Sequence, residues 1–426
     1  MKKILGIALG ILLIAQSVAS NDIVIETDAQ FYASQKARSE GLAAFRTGNH
    51  ALALTHMEAA LKYRPGNTLL LGYVAFLAAE TGNLERAEEA TLSLMAAGQT
   101  PGTAIQKKLA EKLDENLWEE LKTKLNANNR PKGTPLKHAT IPNDVHLIEG
   151  IAVTADGRTF VSSVVSAGLY TLSDKEASLL ASAKAHNMGS FFGIAYSAKN
   201  DSLFATYARV EQSPSGPINE GKTGVAEFDA ATGVLKNNWA LEGSTDEHQI
   251  ADIIITQNHD IYVSDATGKA VYKINNHALV KAFNLPSAMS PQGLAELNNK
   301  LYLADYGRGI WLLDTKDNSV TLVGRPKTSN LSGIDGLTAH RGKLVAIQNG
   351  TNPQKIISLT LSKEENTILA INILAQSLPN FDEPTLGTST VNGYYFVANS
   401  QWPKFGKNGT LKEGAVPKPT KLMKLP

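Results

Sequence analysis

The chain has no cysteine at any of its 426 positions. Disulfides, thiolate nucleophiles and Cys-metal sites are thereby excluded, and stability has to come from packing. It also lacks an excess of either charge, with 41 Lys and Arg against 40 Asp and Glu. No basic stripe with interleaved aromatics runs along it, so the footprint of a nucleic-acid binder is missing. Beyond the N-terminal segment no apolar run approaches the ~18 residues that span a bilayer, which argues against an integral membrane protein. Familiar catalytic signatures are absent as well. The nine histidines show no His-Glu-x-x-His spacing. There is no Gly-x-Ser-x-Gly motif, P-loop or dinucleotide fingerprint.

What remains is a globular composition, 43% apolar and 19% charged, with 34 glycines spread along the chain. The length predicts two domains rather than one core. Residues 1–20, "MKKILGIALGILLIAQSVAS", read as a signal peptide. Lys2 and Lys3 form its basic region, Ile4 to Ile14 its apolar region, and Val18-Ala19-Ser20 its cleavage site. The expected location is periplasmic or secreted. Removing the two lysines leaves 39 basic residues against 40 acidic, a net charge of −1.

Residues 28–125 carry a helical repeat. Thr-Gly-Asn occurs at 47–49 and again at 81–83, and Ala53 matches Ala87 at the same offset of 34. Gly41 and Ala75 fall in register upstream, where small residues let paired helices approach. The turn glycine can end a helix in a left-handed conformation. A third stretch, Gly102 to Leu125, places Ile105, Leu109, Leu113, Leu117, Trp118 and Leu121 on one face and predicts a capping helix or helix pair. The segment resembles tetratricopeptide repeats. That resemblance implies a concave face able to hold a peptide or protein; a plain packing module is the alternative. "NANNRPKGTP", residues 126–135, reads as the linker.

From residue 136 to 426 the helical period gives way to a β pattern. A residue-Gly-Ile/Leu step, a strand, a turn and a second strand recur six times. The units start at Glu149, Phe192, Ala251, Gln292, Asp335 and Glu383, with spacings of 43, 59, 41, 43 and 48. The long second spacing carries a Gly/Pro/Ser-rich insertion, Ala208 to Gly224. Third strands follow each unit, which predicts a six-bladed β-propeller. The last unit runs out at Thr420 to Pro426, so its outer strand is expected from Leu136 to Pro142, ahead of the first unit.

First strands line a propeller's central channel. The residues before the Gly-Ile/Leu steps therefore converge on the axis, and three of the six are carboxylates. A hard divalent cation such as Ca²⁺ would relieve their repulsion. The pattern resembles the senescence-marker-protein/gluconolactonase group and its paraoxonase and strictosidine-synthase relatives, over about 280 residues. The resemblance implies a metal held by Glu149, Gln292 and Asp335, with Asp335 also a candidate base, acting on a lactone or ester. Ala251 and Phe192 depart from the group's Asn and His, Asp252 stands one step out of line, and Glu383 is the candidate replacement ligand. The competing expectation is a non-catalytic protein that binds partners through its helices and propeller face. His340 and His186 are read as surface residues. Asn349, Asn399, Asp265 and Asp305 are read as turn caps. Trp239, Trp311 and Trp402 are read as packing between blades.

Overall fold

The computed structural model describes residues 23–173, 176–214, 223–241 and 248–426. The expected leader lies outside them, as do residues 215–222 of the insertion loop.

Among the described residues there are six α-helices: α1 Asp28–Arg46, α2 His50–Tyr63, α3 Thr68–Glu80, α4 Leu84–Ala96, α5 Thr103–Lys112 and α6 Glu115–Asn128. Asn49, Asn67, Asn83 and Asp114 cap four of them by accepting backbone N–H groups. The two turns of the 34-residue period do what the repeat predicts. Gly48 and Gly82 sit at φ +76° and +80°, and each precedes the Asn cap of the next helix. At Gly41 a Cβ would come within 3.0 Å of Met57 and 3.3 Å of the Ala53 carbonyl, which is how closely α1 and α2 pack. The capping stretch is a helix pair, and its second helix continues to Asn128.

The rest is the six-bladed propeller. Each blade is a four-stranded antiparallel sheet in meander order. The inner strands are Ile148–Val153, Ser190–Ser197, Ile250–Ile255, Pro291–Leu297, Ile334–His340 and Gly387–Thr390. Closure occurs as the strand count predicts. Leu136–Ile141 pairs antiparallel with Thr420–Leu425 and becomes the outer strand of the last blade. Cores lie between neighbouring blades, as where Phe191, Leu203 and Phe228 of the second blade pack on Phe160 and Leu169 of the first. Trp239 and Trp311 pack in such layers.

The helices rest on the propeller face where the inner strands begin. Ile23 and Val24 pair with Pro326 and Arg325. The Arg308 side chain is fully buried, with Nε on Glu26 at 2.9 Å and a terminal nitrogen on Asp28 at 2.7 Å. Its guanidinium stacks 4.4 Å from the Phe31 ring centre and 4.8 Å from Trp311. Farther round, Thr100 N–H donates to the Asn352 carbonyl at 2.6 Å, and Lys355 Nζ donates to the Gly98 carbonyl at 3.0 Å.

Candidate functional site

The channel mouth is built by one local irregularity repeated around the ring. In each of the first five blades the pairing register of the inner strand shifts at the same step, which is residue-Gly in four of them and Ala251-Asp252 in the third. A bulge bends the strand and re-aims a side chain. The glycine lets neighbouring inner strands close up. A Cβ at Gly150 would stand 2.5 Å from the Phe192 carbonyl oxygen, and one at Gly336 would stand 2.5 Å from that of Thr385. Hydroxyls on the second strands fasten this seam. Ser162 donates to the Phe192 carbonyl and accepts from Gly150 N–H. Thr206 donates to the Ala251 carbonyl at 2.9 Å.

The bulges deliver Glu149, Phe192, Ala251, Gln292 and Asp335 to one cavity of about 220 Å³. The sixth blade differs. Leu386, not Glu383, stands before its glycine, because Gly387 opens that inner strand. Glu383 still lines the cavity, from a left-handed turn at φ +59° three residues earlier. The third blade differs too. It has Asp252 where the other blades have Gly150, Gly193, Gly293, Gly336 and Gly387. The Asp252 carboxylate accepts from Leu294 N–H of the next blade at 2.9 Å and also borders the cavity.

Four carboxyl groups therefore share a small, desolvated space. Burial is the main cause of each shift. It raises Glu149 well above the usual range, with the nearby Asp335 charge adding to it. Asp252 is pushed up to about 7 by burial, against the opposing Leu294 hydrogen bond. Glu383 rises to about 7 through burial and then Asp335. Asp335 rises to about 6, restrained by Asn349, whose Nδ2 donates to Asp335 Oδ2 at 2.6 Å. Burial also raises the Tyr306 phenol.

Two further side chains complete the mouth. The excursion between the second and third strands of the last blade brings Trp402 over the channel. Its indole N–H donates to Glu149 Oε2 at 2.8 Å, and its ring stacks on Phe192 at 6.4 Å. Trp402 is thus a channel residue and not only interblade packing. Asn349 is a channel residue and not a turn cap. Asp265 and Asp305 do cap turns, the latter accepting from Met289, Ser290 and Gly307 N–H. His340 lies at the opposite end of its strand, bonded to Ser389 at 2.8 Å, and His186 packs on Phe228.

All four residues of the expected ligand set, Glu149, Gln292, Asp335 and Glu383, line this cavity. Gln292 Nε2 donates to Ser290 at 2.8 Å. Among the described residues, no three His, Cys, Asp or Glu side chains are placed together to hold a metal ion. Two buried oxygens of channel residues nevertheless have no hydrogen-bond partner among the described residues, Asn349 Oδ1 and Glu383 Oε2. Both border the channel cavity. These orphaned acceptors are oxygens, the donor type a hard cation takes.

No family model and no curated protein matches this chain. Among solved structures, it is similar to the PQQ-bound aldose sugar dehydrogenase of Streptomyces coelicolor, at 12% identity and a TM-score of 0.47, over 69% of this chain and 99% of that one. It is similar to a Thermus thermophilus protein described as a putative glucose dehydrogenase, at 14% identity and a TM-score of 0.46, over 70% and 99%. It is also similar to virginiamycin B lyase of Staphylococcus aureus, at 14% and 0.45, over 69% and 99%.

Proposed function

We propose that the channel mouth is the active site of an exported hydrolase of the gluconolactonase type, acting on a lactone or ester with a divalent cation such as Ca²⁺. The observation that carries this reading is the convergence of Glu149, Asp252, Asp335 and Glu383 on one cavity that also holds the orphaned Asn349 Oδ1 and Glu383 Oε2. Glu149, Asp335, Glu383, Asn349 and Gln292 would hold the cation. When bound, it would polarise the carbonyl and offset the carboxylate charge.

The chain's own groups supply the rest. Asp335, at about 6, is ionised near neutral pH and basic enough to take a proton from water. Asn349 fixes its carboxylate by donating to Oδ2. The indole of Trp402 orients Glu149, and its stack on Phe192 excludes water from that side. Tyr306 keeps its proton and can donate to a developing oxyanion.

The test is metal content by elemental analysis, with lactone and aryl-ester hydrolysis followed in wild type, Asp335→Asn and Glu149→Gln. The expected result is bound Ca²⁺ and a loss of about 10²-fold or more in kcat for Asp335→Asn. Protein that is free of metal, gains no stability from added Ca²⁺ and turns over neither substrate would overturn the reading. A second reading, a non-catalytic binding protein, is favoured by the lack of a three-ligand cluster among the described residues. It predicts a partner protein held by the helices or the propeller face, with neither bound cation nor turnover in the same assays.

A further inference from the structure

A second cavity, of about 590 Å³, lies between the helices and the propeller face. Tyr306 lines both it and the acidic channel, so the two spaces adjoin. Their charge is opposite. Among the described residues no Asp or Glu lines the larger cavity, whereas two arginines do.

The two arginines are not equivalent. Arg64 is neutralised, with Nε on Glu26 at 2.5 Å, and it also donates to the Gly307 carbonyl at 2.9 Å. Arg38 has no carboxylate at ion-pair distance among the described residues. It makes one long bond to Gln35 Oε1, at 3.4 Å, and its Nε is buried with no partner. A buried guanidinium nitrogen without an acceptor is costly, and the planar fork is shaped for a carboxylate. Around it the wall turns apolar, with Leu70, Tyr73, Leu94, Ile105 and Met289.

We propose that this cavity binds a small organic carboxylate with an apolar body. The anion pairs with Arg38, and the body lies along Leu70, Tyr73 and Ile105. Helices and propeller each supply part of the wall, so the site exists only in the two-domain assembly. It does not depend on the channel being catalytic. Its occupancy is read by binding, and failure here leaves the channel's metal and turnover assays untouched.

The experiment is calorimetric titration of the full chain with hexanoate, hexanol and inorganic phosphate. Hexanoate is expected to bind wild type, and both hexanol and phosphate at least about 10-fold more weakly, since charge-assisted pairing and apolar contact are both needed. Arg38→Gln should weaken hexanoate at least about 10-fold while keeping the melting temperature. Ile105→Trp, which fills the apolar wall, should also abolish binding and decides the matter if Arg38→Gln does not fold. Four results would overturn the proposal: no hexanoate binding at millimolar concentration, hexanol or phosphate binding as tightly as hexanoate, wild-type affinity in Arg38→Gln, or wild-type affinity in Ile105→Trp.

Discussion

Asp252 occupies the position that is glycine in every other blade, and its carboxyl fills the space a glycine leaves open. With Glu149, Asp335 and Glu383 it makes the channel a place where ionisation is unfavourable without a cation. All four folded-state values lie above the ordinary carboxyl range near ~4, so the native state holds extra protons between there and neutrality. Stability from these groups is therefore complete below pH ~4 and declines as pH rises through about 6 to 7. Chelator-treated protein should melt at a lower temperature at pH 8 than at pH 5, and Ca²⁺ at pH 8 should recover the loss. Asp252→Asn should flatten the profile and raise the pH 8 melting temperature, because an amide oxygen can still accept from Leu294. Thermal melts across that range check this; a wild-type profile that is flat or rises with pH contradicts it. Asp335 and Glu149 could be picked out from the repeat alone. Asn349 and Trp402 could not: Asn349 lies just past the end of the neighbouring strand, and Trp402 reaches Glu149 across 253 residues of chain.

Elements carry the next set of constraints. The residue-Gly step is legible in sequence as a motif, but its bulge is not, and the bulge is what turns Glu149 and Asp335 into the channel. The sixth blade's step is Leu386-Gly387 and carries no register shift, and reading the motif across to Glu383 misses that Leu386 holds the equivalent position. Gly150→Ala should cost about 1–3 kcal/mol, since the new Cβ meets a backbone carbonyl that cannot swing away. Chemical denaturation measures it, and activity should fall with the displaced Glu149. The closing strand supports a second prediction. Ile141 is fully buried against Leu422 and Val397, so Ile141→Ala should cost about 2–5 kcal/mol and loosen the ring at one blade. Hydrogen exchange should then speed up first in Leu136–Ile141 and Thr420–Leu425.

At the scale of the whole molecule, two repeats of different period meet on one face. Arg308 joins them, between Glu26 and Asp28 of the N-terminal segment and the rings of Phe31 and Trp311. Truncating it strands buried Glu26 with one partner fewer. Arg308→Ala should therefore cost about 3–5 kcal/mol and separate helical from propeller unfolding in calorimetry. A single unshifted transition would contradict this. If the cavity beside this contact needs both domains, the same variant should also lose hexanoate binding.

By itself the sequence determined the repeats, their periods, the six-fold ring and the strand that closes it. Each of these follows from local hydrophobic pattern and spacing, which the chain carries in linear order. It also determined that acids would converge on the axis, because a repeat places equivalent residues in equivalent positions. Only the tertiary structure added Asp252 to those acids and decided what holds them and what lies above them. Asp252 at a glycine position, Trp402 on Glu149, and Arg38 in a cavity between domains with no carboxylate partner among the described residues all arise from contacts between distant segments. No local pattern encodes such contacts; they depend on how bulges, turns and two docked domains set side chains in space.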